Sequence, residues 1–151
     1  MIGEEELALA LREARSLADH GSFCTRRKVG AVLFDVDGRF LAYGVNRTPV
    51  GQRCDEGHCP RGQSTHAELP PDSPGYDQCI AQHAEMTAIE LATERLAARM
   101  GEPTVQMLSG PQLFRYTTMV VTDEPCHECM PRLKYFQMNV YWPEGKALWS
   151  T

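Results

Sequence analysis

Several things are scarce in this chain of 151 residues, and each scarcity narrows what it can do. No apolar run is long enough to span a bilayer, which argues against a membrane protein. The N-terminus, "MIGEEELALA", is acidic where a secretory signal would be basic. The expected compartment is therefore the cytoplasm. Positive charge is also in short supply. The formal net charge is −5, whereas surfaces that track nucleic acid are usually strongly basic, so nucleic acid is an unlikely partner class. A local phosphate site is still allowed, and "RRK" at Arg26, Arg27 and Lys28 is one candidate, although such residues more often form a solvated turn. Internal repeats and low-complexity tracts are missing too. The length suits a single domain, 1–151, with a core of useful size.

Cysteine is not scarce. There are six, which would suffice for three disulfides. In a long chain expected to work in a reducing compartment, with two of the six placed as "CHEC", metal ligation is the better reading.

Along the chain, Glu4 to His20 carries Leu7, Leu9, Leu11, Ala14, Leu17 and Ala18 in a pattern that suits an amphipathic helix, with acids in its first turn. Gly21 is placed to end this helix. "KVGAVLF" and "RFLAYGV" flank "DVDG" and read as a hairpin. From about 47 to 78 the character changes to an insert with Pro49, Pro60, Pro70, Pro71 and Pro74 that also holds Cys54, His58, Cys59 and His66. A plain linker has no need of those side chains. A helix is expected from Cys79 to Met100, a buried strand over Tyr116–Thr122, a helix opening at "PCHECMPRLKYF" and a short strand at "NVYW". The order α-β-β-α-β-α-β predicts an α/β layered fold, a central mixed sheet with helices on its faces.

The chemistry gathers in two segments. "HAEMTAIE" places His83 and Glu85 at the start of an apolar helix. Alone, such a histidine is usually structural. "DEPCHECM" places Cys126 and Cys129 three apart after Pro125, a spacing that puts both sulfurs on one face of a helix. A helix N-terminus also favours thiolates, the form that binds metal. Alone, C-x-x-C could be a redox pair or half of a structural zinc knuckle. Together the segments give His83, Cys126 and Cys129 as three ligands for a zinc ion, with the fourth position open as in catalytic sites. Glu85 is then left beside the metal as a carboxylate able to take a proton from water. H-x-E with P-C-x-x-C is the signature of the zinc deaminases of nucleobases.

These residues resemble the cytidine deaminase superfamily and, within it, the deoxycytidylate (dCMP) deaminase branch. The resemblance runs from "RKVGAVLF" through "YGVNRTP", "HAEMTAIE" and "TDEPCHEC" to "VYWPEG". It implies a cytidine deaminase-like fold and hydrolytic deamination of a cytosine ring, with Glu85 as the proton shuttle. It implies that Asn46 meets the sugar, that a main-chain carbonyl around Thr122 to Glu124 faces the amino group, and that Arg26, Arg27 or Arg47 meets the phosphate. It implies a homo-oligomer acting on a small-molecule nucleotide. It also suggests a second, structural zinc drawn from Cys24, Cys54, Cys59, Cys79, His58 or His66, which would order the insert. The chain departs from the pattern in places. Thr87 stands where asparagine is usual, "GVNR" replaces the form found in nucleotide-regulated members, and no later helix or strand is expected after "YWPEG". A nucleobase, nucleoside or modified nucleotide is the alternative substrate. A zinc-stabilised binding protein without catalysis is the alternative class, disfavoured by an intact Glu85.

Overall fold

The structure, a computed structural model, describes residues 2–22, 28–47 and 82–149. Among the described residues, five strands form one sheet in the order β2-β1-β3-β4-β5. They are β1 (Gly30–Phe34), β2 (Phe40–Val45), β3 (Thr118–Val121), β4 (Asn139–Trp142) and β5 (Gly145–Ala147). β3 and β4 are parallel and every other neighbouring pair is antiparallel. The sheet is mixed, as expected. The helices are α1 (Glu4–Gly21), α2 (Ala84–Met100), α3 (Glu102–Met107), α4 (Gly110–Phe114) and α5 (Cys129–Tyr135).

Side-chain alternation along the strands builds two cores. From β1 and β3, Ala31, Leu33, Met119 and Val121 pack with Ala84, Ala88, Ile89 and Ala92 of α2. On the other face, Val120 of β3 and Tyr141 of β4 pack with Ala10 of α1, helped by Leu7, Leu11 and Phe34. Burial on both faces explains why β1 and β3 read as unbroken apolar runs instead of alternating ones. α1 turns only alanines fully inward, Ala10, Ala14 and Ala18, so it lies close to the sheet.

The hairpin turn is organised by Asp35. Its Oδ1 accepts hydrogen bonds from the N–H groups of Asp37 and Arg39, each at 2.9 Å. Gly38 follows at φ 80°, a conformation that glycine adopts without strain.

Several boundaries differ from expectation. Among the described residues the second long helix begins at Ala84. Gln82 is held extended by paired hydrogen bonds with Arg47, at 3.1 and 2.7 Å, and His83 is the N-cap. The last helix begins at Cys129, not at Pro125 or Cys126. Pro131 explains the shift. It lacks an N–H and is tolerated only in a first turn, so the helix starts just before it. Gly21 is the last helical residue, and extended Ser22 ends α1. The short helices α3 and α4 were not expected, nor was the strand β5, which begins at the final glycine of "YWPEG" and pairs with β4. The insert lies outside the described residues apart from its first position, Arg47.

Candidate metal centre and its cleft

The site forms where the start of α2, the segment after β3 and the turn before α5 meet. His83 caps α2 with an extended backbone (φ −69°, ψ 150°) and makes no side-chain cap hydrogen bond. Its carbonyl accepts from the Thr87 N–H at 3.0 Å and from the Thr87 hydroxyl at 3.1 Å. Thr87, the departure noted in the sequence, therefore holds the histidine backbone in place. Opposite, the Met130 N–H donates to the Cys126 carbonyl at 2.9 Å and closes the turn that leads into α5. Cys126 is thus not on the helix face. The turn, and not helical spacing, brings it level with Cys129.

The Nδ1 of His83 lies 3.2 Å from Cys126 Sγ and 3.3 Å from Cys129 Sγ. All three donor atoms fall within 4.8 Å of one another. A tetrahedral zinc with ordinary Zn–S and Zn–N bonds would hold such a nitrogen and sulfur about 3.5 Å apart. The donor set therefore fits zinc within a few tenths of an ångström. Electrostatics point the same way. Burial pushes the Cys129 thiol well above its ordinary range, the Glu85 carboxylate and Cys126 push it further, and Arg132 opposes them only in part. The helix N-terminus alone does not make this sulfur a thiolate, so a cation among the three donors is what would stabilise the charged form.

Glu85 is 4% exposed in the first turn of α2, where the helix dipole favours a carboxylate. It lines a cleft together with Asn46, His83, Asp123, Glu124 and Cys126. Asn46 is buried at the end of β2, and its Oδ1 accepts hydrogen bonds from the Ser22 hydroxyl and from the Val29 N–H at 3.0 Å. Thr122 extends the β1–β3 pairing by one residue. Its N–H donates to the Gly30 carbonyl and its Oγ1 accepts from the Gly30 N–H, at 3.0 and 3.1 Å. This anchor sets the course of Asp123 and Glu124 along the cleft wall. Arg47 faces elsewhere, 3.5 Å from Glu90 on the exposed side of α2. Arg26 and Arg27 lie outside the described residues, as do Cys24, Cys54, Cys59, Cys79, His58 and His66.

Sequence reasoning did not find Gly44. A Cβ there would stand 2.2 Å from the Ala84 carbonyl and 2.4 Å from the Ala88 N–H. Only glycine lets β2 lie this close to the first turns of the helix that carries His83 and Glu85. The glycine in "YGVN" was visible; its reason was not.

A mixed sheet layered with helices, with two helix starts converging on a His/Cys/Cys donor set and a buried carboxylate beside it, defines a zinc-centred site of the deaminase class. The match to the family of the cytidine and deoxycytidylate deaminase zinc-binding region covers residues 4–142, and the chain belongs to that family. It is 40% identical over 89 residues to the deoxycytidylate deaminase of Schizosaccharomyces pombe. That stretch is 56% of this chain and spans only a quarter (25%) of the yeast protein's length. The fold is shared with the dCMP deaminase of the cyanophage S-TIM5. The apo crystal structure superposes with a TM-score of 0.58 at 21% identity, covering 93% of this chain and 84% of that one. The form in complex with dCMP and dUMP superposes at 0.57 and 23% identity, covering 94% and 83%. No helix among the described residues is long and apolar enough to cross a membrane.

Proposed function

We propose that this chain catalyses the hydrolytic deamination of a cytosine nucleotide, converting dCMP and water to dUMP and ammonia. The observation that carries this reading is the buried Glu85 placed beside, and not within, the His83/Cys126/Cys129 donor set. A closed structural zinc site has no use for a spare buried acid. The yeast relative's activity and the nucleotides seen with the phage enzyme support the choice of substrate.

When bound by His83, Cys126 and Cys129, zinc supplies the Lewis acidity that makes water nucleophilic near neutral pH. Glu85 does the proton work. It accepts a proton from the attacking water and delivers it to ring N3 as the new C4–O bond forms. It then takes the proton of the new C4 hydroxyl and passes it to the amino group as the C4–N bond breaks and the C4 carbonyl forms, leaving the uracil nucleotide and ammonia. Glu85 ends as it began, a carboxylate. Asn46, fixed by Ser22 and Val29, meets the sugar. A backbone carbonyl of the Thr122–Glu124 segment receives the departing amino group. Arg26 and Arg27 are the positions for phosphate recognition. Arg47, engaged by Glu90, is the weaker candidate. The reading includes one deaminase domain over 1–151, a homo-oligomer and a cytoplasmic setting. It also includes a second, structural zinc between the segment before "VGAV" and the insert, drawn from Cys24, Cys54, Cys59, Cys79, His58 or His66.

The test is ammonia release by the zinc-loaded protein on dCMP, CMP, deoxycytidine, cytosine, adenine and guanine. Turnover confined to dCMP is expected. Turnover of an unphosphorylated compound alone would overturn the nucleotide assignment. Silence across the panel with zinc bound would favour a modified nucleotide as substrate or the non-catalytic alternative.

A further inference from the structure

A groove of about 930 Å³ runs between α1 and the β1–β2 hairpin and has no part in the deaminase chemistry. Leu9, Val36 and Phe40 line it, each at least half exposed. Apolar side chains exposed together in this way mark a contact surface. Glu6, Glu13, Asp35 and Asp37 line it too, and among the described residues no lysine, arginine or histidine does. A matching occupant is aromatic or apolar at its centre and cationic at its edges. The chain carries such a surface itself. α5 holds Arg132 and Lys134 and no acid. Residues step about 100° around a helix, and Leu133 points into the core, so Lys134, Tyr135 and Arg132 form one outward arc with Tyr135 in the middle. Tyr135 is 62% exposed, and its ring rests against Phe136 with 5.6 Å between centroids. An ordered tyrosine flanked by two cations is the kind of side chain that anchors an interface. The ion pairs Arg15–Asp123 and Arg47–Glu90 involve neither surface.

We propose that the groove receives α5 of a second copy of this chain, with Tyr135 seated among Leu9, Val36 and Phe40 and with Arg132 and Lys134 facing the groove acids. The proposal deepens the homo-oligomer of the reading above by naming its interface, and it does not depend on the deamination. α5 packs through Leu133 into the core that α2 covers, whereas the groove lies along α1, on the other face of the sheet. The contact therefore joins two different surfaces. Each copy offers one and inserts the other, so copies add head to tail until a ring closes. Opposite charge draws the two surfaces together, and salt screens it. The junction weakens roughly three- to tenfold between about 0.05 M and about 0.5 M salt.

The experiment is sedimentation velocity on the zinc-loaded full chain over a concentration series, at low and high salt, for the wild type, V36K and Y135E. Both substitutions fall on exposed side chains, and circular dichroism checks that the fold is kept. V36K places a cation in the acidic groove, and Y135E places an acid on the basic arc. The wild type is expected to assemble. Each variant alone is expected to fall to a smaller species, its junction weakened at least about tenfold. An equimolar mixture of the two should regain one junction, the α5 of V36K in the groove of Y135E, and grow no further.

A monomeric wild type would overturn the proposal and give the groove to a different basic partner. So would assembly that neither variant weakens, or assembly indifferent to salt. A mixture that regains nothing would show that the contact is not head to tail, which also overturns it. The readout does not depend on turnover. A chain that assembles as expected and deaminates nothing would sink the proposed function and leave the interface standing. An active enzyme whose assembly ignores both substitutions would do the reverse.

Discussion

The two ends of the sheet differ in an instructive way. At the hairpin end, α1 and β1 bound a groove of about 930 Å³ with Leu9, Val36 and Phe40 on its walls and Glu6, Glu13 and Asp37 at its edges. At the other end the cleft is much smaller, yet His83, Glu85 and Cys126 line it. Volume alone would choose the groove. Chemistry chooses the cleft, because strand ends and helix starts converge there, and helix starts bring unpaired N–H groups and a positive end of the dipole. Among the described residues that line it, the groove has neither a histidine nor a cysteine.

The contrast can be broken in graded ways. The largest effect is expected from Cys126→Ala, which removes one of the donors around His83 Nδ1. Stoichiometric zinc should be lost on purification, with turnover falling to background, whereas Asp37→Asn in the groove should leave zinc content intact. Elemental analysis checks both. Zinc uptake should also strengthen as pH rises. Burial holds the Cys129 thiol protonated well above its ordinary range, and each proton displaced by metal contributes about tenfold in affinity per pH unit. Competition with a chromophoric chelator between pH 6 and 8 (about two units) reads this slope.

Two glycines sharpen the comparison further. Gly44→Ala places a methyl against the Ala84 carbonyl. It should cost about 1–3 kcal/mol, or more if the backbone cannot shift, and should lower kcat by displacing the start of α2. Gly38→Ala at the hairpin meets no neighbouring atom and only disfavours its φ of 80°. About 1 kcal/mol is expected there, with kcat unchanged. Urea melts and steady-state kinetics separate the two cases. A similarly small effect belongs to Thr87→Val, which keeps shape and removes the hydroxyl bond to the His83 carbonyl. It should cost about 0.5–1.5 kcal/mol in urea stability.

Much of the site was legible because its signals are local. His83 and Glu85 are near neighbours in sequence, as are Cys126 and Cys129, and only zinc chemistry makes sense of the four together. The hairpin was legible from Asp35 and Gly38 between apolar runs. The starts of α2 and α5 were read too early. Gln82 is captured by Arg47, which apolar spacing does not reveal, while Pro131 confines the start of α5 to the residues just before it. The short helices α3 and α4 carry too few turns for periodicity to register, although Ser109 and Gln112 form a capping box that marks the start of α4. Gly44 and the Arg15–Asp123 pair depend on which segments the fold brings together, and no local pattern encodes that.

The central claim is that Glu85 moves protons and does not hold the metal. Glu85→Gln, assayed for zinc content and dCMP turnover on the same preparation, tests it most directly. The account predicts full zinc occupancy with turnover reduced on the order of 10²–10⁴-fold. Zinc loss with the substitution would make Glu85 a ligand, and undiminished turnover with zinc in place would remove it from the mechanism.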